Sequence, residues 1–262
     1  MMATTDSKSF APDFDLAGKH AVVTGSSRGI GRAIALALAD AGADVAIHAA
    51  GSRDKAEATA EEVRRMGRRS VVVMADLSDG DAPRHIFDEV TSAFGSLDIL
   101  VSNASVQIPE SWTTVTREHF EQQVTVNWRS AFELIQKCLP PMMERGWGRV
   151  LTIGSVQELR PHPDMLIYAA TKNAQTSMVH NFAKQVSHRG VTVNNLAPGV
   201  IGTDRSLERL EDAEYEKVVL SKIPVAKIGR PEDCAGTALL LCSNAGQYIT
   251  GQNVFVDGGM SL

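Results

Sequence analysis

The octapeptide TGSSRGIG, Thr24 to Gly31, follows the apolar run HAVV (20–23) and opens the alanine- and leucine-rich stretch RAIALALADAG (32–42). The order is strand, glycine turn, helix. Glycines at 25, 29 and 31 let the main chain bend tightly and approach an anion, and the first turn of a helix offers it unpaired N–H groups. A glycine-rich turn alone is a weak sign. After a first strand and before an amphipathic helix, it predicts a cradle for the pyrophosphate of a dinucleotide, with Ser27, Arg28 and Ile30 around it.

Working outward, β-branched runs recur: DVAIH (44–48), SVVVMA (70–75), LDILVS (97–102), RVLTI (149–153), VTVNNL (191–196) and NVFVD (253–257). Most are apolar throughout, as strands are when helices cover both faces of a parallel sheet. Between them lie helical patterns such as DKAEATAEEVRRMG (54–67), closed by a glycine. The alternation predicts an α/β fold: one doubly wound parallel sheet of about seven strands, with helices on both faces, over residues 16–262. Residues 1–15 are polar and acidic, lack the basic-then-apolar pattern of a signal peptide, and read as a flexible tail. The charged segment 203–224 reads as an inserted pair of short helices, a substrate lid.

Composition narrows the function. In 262 residues, 44% hydrophobic and 22% charged, wholesale disorder is excluded. No apolar run approaches the ~20 residues of a bilayer span. The net charge of -5 argues against nucleic-acid and anionic-membrane partners. The 3 cysteines and scattered histidines have no ligand spacing, so no metal is expected, and a reducing, cytoplasmic compartment is.

The second strand ends His48-Ala49-Ala50-Gly51-Ser52-Arg53, with no carboxylate before Asp54. An NAD site usually places an acidic side chain there for the ribose 2′-hydroxyl. Its absence predicts NADP over NAD, with Ala50 at the adenosine and Arg28, Ser52 or Arg53 on the 2′-phosphate. The plainer alternative is that both arginines are solvated surface. His48 either touches the adenosine end or is an ordinary strand-end histidine.

Tyr168 and Lys172 are four residues apart and project from one helix face. A free tyrosine, with a pKa near 10, is a poor acid–base group at neutral pH; a nearby ammonium favours its phenolate. In isolation such a pair is more often a surface feature. Tyr215 and Tyr248 lack a lysine four residues on. Ser155 ends the fifth strand, at the edge where α/β sheets bind ligands.

The ordered set TGSSRGIG, Ala75-Asp76-Leu77, Ser102-Asn103-Ala104-Ser105, Asn127, Ser155, YAATK (168–172), PGVIGT (198–203) and a closing VDGG resembles the short-chain dehydrogenase/reductase family over nearly the whole chain. In length and in the ending ITGQNVFVDGGM the chain looks like 3-oxoacyl-[acyl-carrier-protein] reductases, although sugar, polyol and steroid dehydrogenases share those features. The resemblance implies a single Rossmann-type domain and an NADP(H)-dependent oxidoreductase moving a hydride between nicotinamide and a carbonyl or secondary alcohol. It makes Tyr168 the acid/base, Lys172 its partner on the nicotinamide ribose, and Ser155 the donor to the substrate oxygen. Asn127 either anchors a water linking Lys172 to solvent or merely ties backbone groups together. Asp76, Leu77, Asn103 and Ala104 belong to the adenosine side. Ser105, Pro198, Gly199, Ile201 and Thr203 flank the nicotinamide and phosphates. Two helices carrying Phe132, Leu134, Ile135, Met178, Val179 and Phe182 form a homotetramer interface in the family, or else simply pack in the core.

One departure stands out: Ser105 replaces the family's usual glycine. Together with Ser155, Gln157 and Tyr168, and with Val106, His162 and Met165 nearby, it is expected to meet the substrate. A 3-oxoacyl thioester is the first expectation, with Arg145, Arg149 and Arg189 available to dock an acidic carrier. A sugar, polyol or other secondary alcohol is the alternative, and a catalytically idle dinucleotide sensor is the reading from another class.

Overall fold

The computed structural model describes residues 11–204, 206 and 210–262. Strands lie where the apolar runs predict them: β1 (His20–Val23), β2 (Asp44–Ala49), β3 (Ser70–Met74), β4 (Ile99–Ser102), β5 (Gly148–Ile153), β6 (Val191–Pro198) and β7 (Asn253–Val256). All pair in parallel, in the order β3-β2-β1-β4-β5-β6-β7. The direction in which strands are added reverses between β1 and β4. There the crossovers leave to opposite sides and a crevice opens beyond the carboxyl ends of the strands.

The helices are α1 (Gly29–Asp40), α2 (Arg53–Arg65), α3 (Ala82–Phe94), α4 (Arg117–Val124), α5 (Ser130–Arg145), α6 (Leu166–Val186), α7 (Ala213–Leu220) and α8 (Pro231–Cys242). Successive strand residues point to opposite faces, so the sheet has two cores. Val23, Ile47 and Ile99 meet Ile34, Leu38, Val63 and Cys242 of α1, α2 and α8. Val22, Leu100 and Val150 meet Ile86, Ile135 and Val179 of α3, α5 and α6. This is the doubly wound single domain the sequence implies. Leu134, Ile135 and Val179 are core, whereas Phe132 stays exposed and stacks on Phe182 at 6.1 Å. Cys138, Cys234 and Cys242 are free and buried, and burial pushes all three thiols up.

Most of the expected tail, residues 1–10, lies outside the described residues; Ala11–Phe14 winds into a 3-10 turn. Of the 203–224 insertion, α7 is a helix begun by Asp212, whose Oδ1 accepts from the Glu214 and Tyr215 N–H groups. Residues 205 and 207–209 lie outside the described residues. Among the described residues, no helix is long and apolar enough to cross a membrane.

The structure corrects one expectation. Arg149 is buried, and its guanidinium donates to the carbonyls of Ser243, Gly148 and Gly190 while lying 4.3 Å from the Trp147 ring centroid. Burial lowers it to about 10. Arg145 bonds Leu97 O and Asp98, and Arg189 reaches Met143 O. The partners lie around the amino ends of β4, β5 and β6, across the sheet from the crevice. These arginines close the bottom of the fold and do not form a docking patch at its ligand edge.

Candidate active site

Apart from Arg53, the residues assigned to the coenzyme from the sequence line one cleft of about 880 Å³ at the carboxyl edge of the sheet. Ser155, Gln157, His162 and Met165 line it too. The glycine turn sits where β1 hands over to α1. Gly29 has φ +57, a left-handed conformation that a side chain would strain. Gly31 begins α1 against backbone: a Cβ there would lie 2.5 Å from Gly25 O and 2.5 Å from Asn103 Nδ2.

Two neighbours hold this turn rigid. Asn103 Nδ2 donates to Thr24 O at 2.8 Å and Gly25 O at 3.1 Å, and Thr24 Oγ1 accepts from the Asn103 and Ala104 N–H groups. Asn103 thus lines the cleft while its amide staples β4 to the turn. His48 Nδ1 accepts from Gly25 N at 3.1 Å, so its Nε2 carries the proton and donates to Ala75 O at 3.0 Å. Burial is the main cause that lowers this ring to about 4; the bond to Ala75 O and the Asp76 charge oppose it, and His85 adds weakly to the lowering. His48 is thus a neutral tie between the glycine turn and the end of β3.

This tie has a pH signature. The unfolded chain takes up a proton near 6.5, whereas the folded chain resists until about 4. The stability from neutral His48 is complete above pH 6.5 and is lost as pH falls from there towards 4, a total of about 3 kcal/mol. Urea unfolding should show this loss in the wild type and a flatter profile in His48→Asn; parallel profiles would contradict the assignment.

Where β2 reaches the cleft, its last residues and the loop to α2 carry no carboxylate. Arg28 Nη1 bonds Asp204 Oδ2 at 3.1 Å, and Lys55 Nζ stands 3.6 Å from the same oxygen. These cations hold the Asp204 carboxyl below its usual range. Arg53 opens α2 and is not among the residues lining the cleft. Sequence reading missed Lys55 and Asp204, because only the fold brings residues 28, 55 and 204 together. Asp76 Oδ1 accepts from Ser78 N and Oγ, bonds that lower its pKa and fix the loop after β3.

At the other end, Lys172 is buried, an expensive place for an ammonium unless it is bonded. Its Nζ donates to Ile153 O at 2.7 Å and lies 5.6 Å from the Tyr168 ring centroid. Tyr168 and Ser155 are nearly buried and both reach the cleft. Ser155 Oγ accepts from Gln157 N at 3.2 Å. Gln157 Oε1 accepts from His162 N, and His162 Nδ1 accepts from Asp164 N, so both side chains also cap the loop before α6.

Asn127 is fully buried in a π-turn, Thr125–Arg129, and is not among the residues lining the cleft. Its Oδ1 accepts from Val106 N, and its Nδ2 donates to Val106 O and Thr171 Oγ1. Its carbonyl accepts from Gln175 Nε2 at 2.7 Å. These bonds tie the π-turn to the loop after β4 and to α6. Gln175 and Glu158 were missed. Glu158 had a signal, since Ser155-x-x-Glu158 has the spacing of a capping box.

The sequence model described as enoyl-(acyl carrier protein) reductase matches residues 25–261. The 3-oxoacyl-[acyl-carrier-protein] reductase of Staphylococcus aureus is 38% identical over 244 residues, covering 93% of this chain and 98% of that protein. The crystal structure of a 3-oxoacyl (acyl-carrier-protein) reductase from Agrobacterium tumefaciens C58 with NADP bound superposes with a TM-score of 0.92 at 37% identity, covering 98% of this chain and all of that one. The chain is a short-chain dehydrogenase/reductase. As such it is an oxidoreductase of alcohol and carbonyl substrates. This short-chain dehydrogenase/reductase is also similar to a gluconate 5-dehydrogenase from Burkholderia cenocepacia J2315 in complex with NADP and tartrate. That likeness has a TM-score of 0.90 and 30% identity over 97% of this chain and 99% of that one.

Proposed function

We propose that this enzyme reduces a carbonyl with NADPH, or runs the reverse oxidation, with Tyr168 as the proton donor. The observation carrying this reading is the meeting of Tyr168, Lys172 and Ser155 at one end of a cleft whose other end is a glycine turn. A coenzyme fits that groove: the turn leaves no space for side chains, and the adenosine end has cations where an NAD site has a carboxylate. The coenzyme supplies the hydride, the step that protein groups cannot provide. Tyr168 gives its phenolic proton to the substrate oxygen. The Lys172 ammonium favours the phenolate left behind. Ser155 Oγ, already accepting from Gln157 N, has its hydroxyl proton to donate to the same oxygen. Asn127 and Gln175 hold the π-turn before α5 against α6 behind the pair.

Arg28 and Lys55 select the 2′-phosphate. Arg28→Ala should weaken NADPH about tenfold and leave NADH unchanged, as expected for losing one exposed charge-assisted bond. Titration of both coenzymes checks this; equal weakening of both would refute it.

A 3-oxoacyl thioester is the first substrate class, supported by the likeness to acyl-carrier-protein reductases. A polyol or sugar acid is the second, favoured by Gln107, Gln122 and Gln157 along the cleft and by the position of Arg145, Arg149 and Arg189 away from it. A spectrophotometric panel decides between them: acetoacetyl-CoA, simple ketones, sugars and polyols, each with both coenzymes. No turnover on any of them would favour the idle sensor. Leu210 and Tyr215 of the 203–224 insertion also line the cleft, so we read this segment as the lid. The exposed Phe120, Trp128 and Phe132 around α4 and α5 support a homotetramer through these helices, tested by light scattering.

A further inference from the structure

Behind Ser155 lies a closed cluster of polar side chains that the proposed reaction does not use. Glu158 is only 9% exposed, and its oxygens accept from every direction. Oε1 accepts from Ser155 N at 2.9 Å and Asn195 Nδ2 at 3.1 Å; Oε2 accepts from Thr176 Oγ1 and Asn253 Nδ2, both at 2.7 Å. Asn195 cannot turn away, because Thr152 Oγ1 donates to its Oδ1 and its own Nδ2 also reaches Asn253 Oδ1. The cluster joins β5, β6, β7 and α6. A Cβ at Gly154 would collide with Glu158 Oε1 and Asn195 Nδ2, so the glycine makes room for the carboxylate.

The end of β5 is therefore gripped twice. Lys172 Nζ holds Ile153 O, and Glu158 Oε1 holds Ser155 N, one peptide beyond the intervening Gly154. We propose that Glu158 is a positioning residue: it fixes the extended Ser155 backbone so that Oγ takes the Gln157 N–H and keeps its own proton for the substrate oxygen. A fully satisfied buried polar network is rigid, and rigidity at a donor to the reacting oxygen is worth rate. The proposal rests on the reading of Tyr168 and Ser155 given above.

The test measures kcat on the best substrate of the panel, the NADPH Kd and the Tm for four variants. Glu158→Ala removes the grip and should lower kcat roughly 10- to 100-fold with the NADPH Kd unchanged. Glu158→Asp, which keeps the charge but retracts it by one methylene, should show a smaller loss in the same direction and stands in if the alanine variant does not fold. Glu158→Gln keeps a carbonyl oxygen for the Ser155 and Asn195 donors but sets its amide nitrogen against the Asn253 Nδ2 donor, so it should lower Tm and leave kcat within about threefold. Asn253→Ala cuts only the far oxygen, and should lower Tm while leaving kcat within about threefold. Wild-type kcat in Glu158→Ala, or in Glu158→Asp if that must replace it, would overturn the proposal. So would a loss of kcat in Asn253→Ala as steep as its loss of stability predicts. Wild-type turnover in Tyr168→Phe would instead sink the underlying reading of the site, so the two failures are distinguishable.

Discussion

Tyr168→Phe is expected to bind NADPH as the wild type does and to lose roughly 10²- to 10⁴-fold in kcat, the span of a missing general acid. The phenyl ring keeps the buried position of Tyr168 beside Lys172 and removes one oxygen. The packing of the ring is preserved. The loss should appear in kcat with little change in coenzyme affinity, because the proton is transferred only as the carbonyl is reduced. Lys172→Met should act through the same phenol, shifting the pH at which it titrates upward, since a neutral thioether no longer favours the phenolate. Unchanged turnover in Tyr168→Phe would remove the proton role altogether.

Gly31→Ala should act at the other end of the cleft. The added methyl would lie 2.5 Å from Gly25 O, which belongs to the turn, and 2.5 Å from Asn103 Nδ2, which is already bonded to that turn. Neither neighbour can retreat without moving the cradle. Overpacking of this kind costs about 1–3 kcal/mol, and falling on the phosphate site it should raise the NADPH Kd roughly 5- to 150-fold. Gly236→Ala in α8 is the control: nothing lies within 4 Å of its added Cβ, so coenzyme affinity should stay unchanged and stability rise by about 0.5–1 kcal/mol. Equal coenzyme affinity in Gly31→Ala and wild type would show that the cradle is not where phosphates bind.

Much of this architecture was legible in the sequence because it is written in local patterns. A strand covered on both faces must be apolar throughout, and β1, β2, β4, β5 and β6 are mostly buried. The Gly25–Gly31 turn and the Tyr168–Lys172 spacing are likewise set by neighbours a few residues away. What escaped depends on distant partners. Arg149 looks like any surface arginine until β5 places it among the carbonyls of Ser243 and Gly190. The bonds of the Asn127 amide to Val106 likewise join residues that lie 21 apart in the chain. Lys55 and Asp204 are far apart in the chain and meet only across the groove. Glu158 stood between the two extremes. Its capping-box spacing to Ser155 was visible, but Asn195 and Asn253 become its partners only when β6 and β7 are laid beside β5.

The central claim is that Tyr168 faces the reacting carbon of a nicotinamide while Lys172 holds its ribose. A crystal structure of the NADPH complex tests this most directly. The account predicts the pyrophosphate on the Gly25–Gly31 turn, the nicotinamide beside Pro198 and Gly199, and the Tyr168 hydroxyl turned towards its C4. A nicotinamide lodged elsewhere, with that hydroxyl facing away and the Lys172 amine out of reach of the ribose, would contradict it.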